Sequence, residues 1–324
     1  GTGSCVPDYV MDNDGVAELV ETSDSWIRER TGIARRHIAV KETTVSMANE
    51  AAKRALDNAG VLPEELDLIL MSTISSDVII PCGACEVQKA IGADKAVCFD
   101  LNGACTGFVL AYNTALAYIE SGIYQTVLIV GSESLSRLTN WKDRGTCILF
   151  GDGAGAAVIK KDERASYIPA AHSDGIRGEA LLCHSKREEN GLPLQKNDEI
   201  GGKHLNSEDY LMQMDGQGVF RFAIKQVPEV IQEVLEKNEV KPEEIDWYIL
   251  HQANRRILEA VAKRMGEPVE KFPMNMEEYG NTSSASIPIL LDEMNRDGRL
   301  KRGQKIVLAG FGAGLTWGAT IIEW

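Results

Sequence analysis

The chain repeats itself, and the repeat constrains its fold more than any other feature. Pro63-Glu64-Glu65-Leu66-Asp67 returns as Pro242-Glu243-Glu244-Ile245-Asp246, an offset of 179 residues (242 − 63). Val127-Leu128-Ile129-Val130-Gly131 returns as Ile306-Val307-Leu308-Ala309-Gly310 at the same offset. The shift carries Asn102 onto Asn281 and Cys105 onto Ser284. One offset held through strands and helices alike implies a duplicated unit. Within the first copy, helical spacing over Met47–Ala59 alternates with strand-like Leu66–Thr73, a helix at Cys85–Ile91, a strand at 96–100, a helix from Cys105 and a strand at Thr126–Val130. That alternation means α/β architecture built from βαβ units around a parallel sheet.

The two halves are taken as 1–165 and 166–324. The offset drops to 163 (319 − 156) where Ala156–Ile159 matches Ala319–Ile322, so the first half holds an excursion around Asn140-Trp141-Lys142-Asp143-Arg144. A polar insertion, 166–209, opens the second half. Excursions that interrupt a repeated scaffold are where substrate contacts are built. Gly1 to Pro7 reads as a turn-rich loop. Tyr210–Met214 reads as a strand whose repeat partner lies ahead of Gly1, which places further apolar residues upstream of the given sequence.

Asn102-Gly103-Ala104-Cys105-Thr106-Gly107 follows a strand and opens an apolar run whose first charge is Glu120. A helix apolar all round is a buried one, so Cys105 reads as the first residue of a buried central helix. Free N–H groups and the partial positive charge of a helix N-terminus favour thiolate over thiol. On this segment alone, a nucleophile and an inert core cysteine fit equally well.

Strand ends of both halves should gather the chemistry, because ligands of open α/β sheets bind beyond the carboxyl ends of the strands. Trp247–Leu250 ends in His251-Gln252-Ala253-Asn254. Strand-like Phe272–Asn275 leads to Gly280-Asn281-Thr282-Ser283. Ile306–Ala309 ends in the glycine-rich run Gly310 to Gly318. Near the start, Thr22-Ser23-Asp24-Ser25-Trp26-Ile27 carries a helix-cap signal, with Arg28, Arg30, Arg35 and Arg36 close behind. An aromatic ring among arginines suits an anionic, ring-containing ligand; a surface helix with a half-buried Trp gives the same pattern.

The net charge of −14 argues against nucleic acid and anionic membranes as partners, and no run of 18 apolar residues reads as a membrane span. Seven scattered cysteines suggest reduced thiols in a cytoplasm. Cys82-x-x-Cys85 has no second pair and no nearby His, so no zinc site is expected.

Taken together, these motifs resemble the β-ketoacyl-acyl-carrier-protein synthase III family over essentially the whole chain. The motifs are Thr22 to Ile27, the Cys105 segment, Asp143-Arg144-Gly145-Thr146, Phe150 to Gly155, His251 to Asn254, Gly280 to Ser283 and Gly310 to Gly318. The resemblance implies a thiolase-like fold, layered α/β/α/β/α, and a catalytic set of Cys105, His251 and Asn281. An acyl group would pass from acyl-CoA to Cys105. Malonyl-acyl-carrier protein would then lose CO2, and its enolate, held by His251 and Asn281, would attack the acyl-cysteine. The oxyanion donors implied are the backbones of Cys105 and Ala313. Acyl-CoA and the carrier are substrates; no cofactor and no metal are implied.

By the same resemblance, CoA contacts fall on Thr22, Trp26, Arg30, Arg144, Gly216, Gln217, Phe220 and Asn254, with adenine between Trp26 and Arg144. Gln217 stands where the family often has Asn, and Ala34 where some members have Arg. Ile80 and Phe311 belong to the acyl pocket, Ile80 reaching across a homodimer. Arg255, Arg256, Lys263 and Arg264, on a helix starting three residues past His251, form the docking site for acidic carrier protein. A condensing enzyme of a secondary-metabolite pathway is the alternative within this chemistry. A Cys/His hydrolase would leave the duplicated scaffold unexplained, and a non-catalytic partner subunit would be expected to lack Cys105.

Overall fold

The structure is a computed structural model that describes residues 1–162, 166–185, 199–200 and 203–324. Residues 163–165, at the expected division between the halves, and residues 186–198 and 201–202 of the insertion lie outside the described residues.

The first half runs β1 (Thr2–Cys5), α1 (Asp24–Thr31), α2 (Thr44–Ala59), β2 (Leu68–Ser72), α3 (Gly83–Ile91), β3 (Val97–Leu101), α4 (Gly107–Glu120), β4 (Thr126–Ser134) and β5 (Asp152–Lys160). Its sheet has the order β1-β5-β4-β2-β3. The second half contributes β6 (Ala170–Ser173), α5 (Gly216–Lys237), β7 (Trp247–Leu250), α6 (Arg255–Met265), α7 (Ser286–Arg296), β8 (Lys305–Gly312) and β9 (Thr316–Glu323), in a sheet ordered β7-β8-β9-β6. The pairs β2/β7, α4/α7 and β4/β8 all differ by the repeat offset.

Side chains alternate across a strand, and the core divides accordingly. Leu68, Leu70, Val127 and Ile129 face inward and meet Phe108, Val109, Ile287, Leu290, Ile249 and Leu308 in a central cluster. Ile69, Met71, Leu128 and Val130 face outward onto α2 and α3. Tyr248, Leu250, Val307 and Ala309 face outward onto α5 and α6. The result is helices, sheet, the α4/α7 pair, sheet, helices: the thiolase-like α/β/α/β/α stack.

Three sequence expectations are corrected. Thr2–Cys5 is not a loop but an edge strand, antiparallel to Ala154–Ala157. Its small residues are there because α2 lies directly behind: a Cβ on Gly3 would strike the Ala51 carbonyl. Its counterpart is β6, paired with Thr316–Ala319. Of Tyr210–Met214, expected as a strand matching one ahead of Gly1, only Gln213–Met214 is a strand, and it pairs with Leu181–Leu182. The strand expected at Phe272–Asn275 is absent among the described residues. Gln252 takes its backbone groups instead, donating from Nε2 to the Pro273 carbonyl at 3.3 Å and accepting the Asn275 N–H at 3.1 Å.

The halves interlock at their turns. Ala104 and Ser283, one repeat apart, both have left-handed backbone, φ +44° and +50°. Each turn rests on the other half's strand. A Cβ on Gly310 would lie 2.9 Å from Thr106 Cα, and one on Gly131 would run into the Ser284 carbonyl. Gly131→Ala must therefore push backbone against backbone at the centre of the molecule. We expect it to destabilise by about 1–3 kcal/mol, the cost of overpacking. Thermal unfolding checks this, and an unchanged midpoint would mean the two turns are free to separate.

Candidate active site

Cys105 occupies the middle of a 3-10 turn, Ala104–Thr106, one turn ahead of where α4 proper begins. It is buried, 7% exposed. Gly312 makes room for it: a Cβ there would sit 2.7 Å from Cys105 Cβ and 3.1 Å from Sγ. Thr316 fastens the turn to the glycine-rich loop, its hydroxyl 3.0 Å from Thr106 Oγ1 and 3.0 Å from the Ala313 carbonyl. This holds Ala313 beside the nucleophile.

The thiol is not lowered as its helix position suggests. Burial pushes it up to about 12, outweighing the Ser283 hydroxyl and its own backbone N–H, while Glu133 raises it further. The cause is that the thiolate would lose its water.

His251 follows β7 and is 1% exposed, its backbone N–H donating to the Ala309 carbonyl at 2.9 Å. Nδ1 lies 2.7 Å from Ser286 Oγ, and the edge of Phe311 packs on the ring at 5.2 Å. Burial lowers the imidazole to about 3. Thiol and imidazole are therefore both neutral at pH 7.

Asn281 is held at three points. Its N–H donates to the Leu149 carbonyl at 2.9 Å, its carbonyl accepts from Gly151 N–H at 3.0 Å, and Oδ1 accepts from Ser283 N–H at 3.0 Å. Nδ2 remains as a donor with no partner among the described residues. The short turn Asn281–Ser286 thus bears on all three: it packs against the Cys105 turn, its Ser283 N–H holds Asn281, and its Ser286 hydroxyl meets His251. Ser283, Ser286 and the buried Glu133 were not foreseen. Their sequence signal was the repeat itself, since Ser286 falls on Gly107 and Glu133 on Gly312.

Around the mouth, Ser23 caps α1 by accepting the Trp26 N–H at 3.2 Å. The Arg144 and Arg30 guanidinium groups lie 4.8 and 5.6 Å from the Trp26 ring. A ring inserted between Trp26 and Arg144 needs two contacts of about 3.5 Å, so Arg144 must swing outward to admit it. Thr22 carries a buried hydroxyl without a partner among the described residues. Gly216 and Gln217 open α5, where Asp215 caps the chain, and Phe220 lies under Arg256 at 5.7 Å. Asn254 caps α6, accepting the Arg256 N–H at 2.9 Å and donating to the Arg30 carbonyl at 3.1 Å. Both ends of its amide are engaged, so it joins α1 to α6 instead of presenting a free group. Ile80 and Phe311 do not meet within one chain: Ile80 is 88% exposed and Phe311 is buried.

Two family models match the sequence: 3-oxoacyl-[acyl-carrier-protein] synthase III over residues 99–175, and the C-terminal part of that enzyme over residues 235–324. A β-ketoacyl-[acyl-carrier-protein] synthase III of Clostridium acetobutylicum is 46% identical, the match covering 100% of this chain and 97% of the relative. The chain belongs to the β-ketoacyl-acyl-carrier-protein synthase III family. It is an acyltransferase of fatty-acid biosynthesis. Among solved structures, the 3-oxoacyl-[acyl-carrier-protein] synthase III of Aquifex aeolicus superposes with a TM-score of 0.91 at 41% identity, covering 100% of this chain and 98% of that one. The priming β-ketosynthase of the R1128 polyketide pathway gives 0.90 at 33% identity, covering 100% and 94%.

Proposed function

We propose that the protein carries out the initiating condensation of fatty-acid synthesis, moving an acyl group from acyl-CoA to Cys105 and then joining it to malonyl-acyl-carrier protein. The observation that supports this best is the Asn281–Ser286 turn, which organises a thiol, an imidazole and a carboxamide in one buried site. The half 1–165 supplies the nucleophile and the half 166–324 the two donors.

In acylation the sulfur attacks the thioester, and the backbone N–H groups of Cys105 and Ala313 receive the oxyanion. In condensation the malonyl carboxylate leaves as CO2. Its electron pair becomes an enolate held by Asn281 Nδ2 and His251 Nε2. This needs the imidazole proton on Nε2, which requires the single Ser286 hydroxyl proton to turn from the Ser283 carbonyl, 2.9 Å away, to Nδ1, 2.7 Å away. Trp26, Arg30, Arg144, Thr22, Gly216, Gln217 and Phe220 line the CoA path, and Phe311 backs the acyl group. The steps use the protein's own thiol, imidazole and amides, with CoA as substrate. Incubation with a panel of acyl-CoA donors followed by intact-protein mass tests the reading: an adduct on Cys105 is expected, and none from any donor would refute it.

We place the enzyme in the cytoplasm; among the described residues no helix is long and apolar enough to cross a membrane. We also read it as a homodimer. β3 is an edge strand with Val97 48% exposed, and the neighbouring Ile79 and Ile80 are 93% and 88% exposed. Pairing of β3 with a second copy would cover them and carry Ile80 to the other acyl pocket.

For carrier docking, α6 divides its cations. Arg255 pairs with Glu277 at 3.4 Å and Arg264 with Glu229 at 3.5 Å. Arg256, stacked on Phe220, and the exposed Lys263 have no carboxylate partner among the described residues. These two are the ones free to meet an acidic carrier. Arg256→Glu and Lys263→Glu should each raise KM for malonyl-carrier about tenfold at low ionic strength, because a reversed charge costs more than a deleted one. The effect should shrink in salt, where charges are screened beyond a Debye length of about 10 Å at 0.1 M. Transfer from acyl-CoA in the Lys263 variant is the control. Unaltered carrier kinetics at low salt would remove α6 as the docking face.

A further inference from the structure

The Cys82-x-x-Cys85 motif has no part in the chemistry above, and the structure brings its two sulfurs together. Cys82 is the N-cap of α3 and Cys85 its third residue. Side chains at these two positions face each other across the first helical turn, as they do in a capping box. The sulfurs lie 3.5 Å apart, Cys82 Sγ donating to Cys85 Sγ. Both residues are partly exposed, unlike Cys105 and Cys147, which are buried. Among the described residues no further ligand completes a metal site around them.

Capping the helix is the ordinary use for a side chain at Cys82, and another residue has taken it. Cys82 makes no side-chain cap hydrogen bond. The Asp100 carboxylate, on β3, accepts the Gly83 and Ala84 N–H groups instead, each at 2.8 Å. This has two effects. It ties the first turn of α3 to the sheet: a Cβ on Gly83, between the two cysteines, would lie 2.7 Å from Met71 Sδ and 3.3 Å from Asp100 Oδ2. It also takes up the N–H groups that stabilise a thiolate at an open helix N-terminus. A stabilised thiolate is what keeps a dithiol reduced and makes its disulfide a strong oxidant. Without that stabilisation the balance moves toward the disulfide.

We propose that Cys82 and Cys85 are a reversible disulfide site, oxidised by a small-molecule disulfide of the glutathione type. The thiolate of one cysteine attacks the oxidant, whose S–S bond breaks and releases one small thiol. The second cysteine then attacks the mixed disulfide and releases the other. One S–S bond is broken and one is formed. The two protons and two electrons given up by the protein leave on two molecules of the reduced small thiol, and an excess of that thiol drives the exchange backward. The closure is small. The Cys85 N–H already donates to the Cys82 carbonyl at 3.0 Å, so the backbone turn is closed. Residues one helical turn apart have Cβ atoms about 5–6 Å apart, and a disulfide asks for about 3.5–4.5 Å at Cβ and about 2.05 Å between sulfurs. With the helix side of the turn fixed by Asp100, Cys82 at the cap is the residue that moves.

A third thiol stands nearby and should compete poorly. Cys98, on β3 two residues before Asp100, packs against the core behind α3 with its Sγ 3.5 Å from the Ala96 carbonyl, and burial pushes it up to about 12. Burial likewise holds Cys105 as a thiol, at about 12, so oxidation of the pair and loss of the nucleophile are separable events. The site is also well placed in the chain. Cys82 comes two residues after Ile80, where the exposed Ile79–Ile80 pair runs through Pro81 into α3. A disulfide there ties that segment covalently to the helix. None of this depends on the condensation chemistry proposed above.

The test is to incubate the folded protein with an excess of oxidised glutathione, cap the remaining thiols, and read the intact mass and the disulfide-linked peptides. The wild type should lose two hydrogens, about 2 Da, with Cys82 joined to Cys85, and dithiothreitol should restore the starting mass. Cys82→Ser and Cys85→Ser should each lose the internal disulfide and carry a mixed disulfide with glutathione in its place. Serine is a favoured N-cap residue, so Cys82→Ser keeps α3 intact; a thermal midpoint equal to the reduced wild type's shows this. Cys98→Ala should oxidise as the wild type does. A wild type that forms no internal disulfide, a disulfide that maps to Cys98, or an internal disulfide that persists in Cys82→Ser would overturn the site.

Discussion

Cys105→Ala forms no acyl-enzyme with any acyl-CoA donor and remains folded. The loss should be complete because no other thiol is placed to substitute. Cys147 is buried and pushed up to about 11, and Cys98 up to about 12. Cys105 itself is no more acidic than these, so its reactivity comes from where it sits, not from a standing thiolate. The fold should survive because the left-handed position in the turn is Ala104, not Cys105. The substitution removes one sulfur from beside Gly312, at a cost of roughly 1 kcal/mol against a total stability of about 5–15 kcal/mol. His251 and Asn281 keep their anchors on Ser286, Ser283 and Leu149, so slow release of CO2 from malonyl-carrier should persist. Intact mass after incubation with acyl-CoA decides the matter: an acyl adduct on the alanine variant would show that the nucleophile lies elsewhere.

The duplicated α/β scaffold was legible in the sequence because strands, central helices and the Pro-Glu-Glu turns kept a common offset. Local patterns misled where a distant element decides the outcome. Thr2–Cys5 has the small, polar residues of a loop, but those residues are what let an edge strand lie against α2. Phe272–Asn275 has the composition of a strand, but the Gln252 side chain occupies its backbone. Cys105 has the position of an activated thiol, and local helix polarity says nothing about the second half that buries it. Glu133 has the sequence context of an ordinary acid at a strand end. Its burial depends on a partner, Ser284, that comes some 150 residues later in the chain (284 − 133 = 151), and becomes visible only when the two turns are seen packed together. The CoA and carrier residues share this limit. Asn254 is spent on a helix cap, and two of the four docking cations already have carboxylate partners, neither of which spacing along α6 reveals.

Asn281→Ala and His251→Ala should each slow condensation by about 10²–10³-fold, or about 2.7–4 kcal/mol, the cost of removing one donor from a developing oxyanion. Acylation should be much less affected, since neither side chain is needed to receive its oxyanion. For Asn281 the substitution is clean: the backbone bonds to Leu149 and Gly151 survive, and only Nδ2 and the Oδ1 bond to Ser283 are lost. For His251 the ring leaves a cavity between Phe311 and Ser286, so thermal unfolding must accompany the kinetics. The pH dependence carries separate information. With its imidazole lowered to about 3, His251 is neutral through the working range, and condensation should show no loss of rate near the ordinary imidazole value of about 6.5. The measurement is a single turnover of malonyl-carrier on enzyme already acylated, compared with the acylation rate of the same variant. In the Cys105→Ala background, either change should also extinguish the residual release of CO2, because the enolate then forms with only one donor. Equal losses in the two half-reactions, or undiminished CO2 release in the double variants, would place His251 and Asn281 on the wrong step.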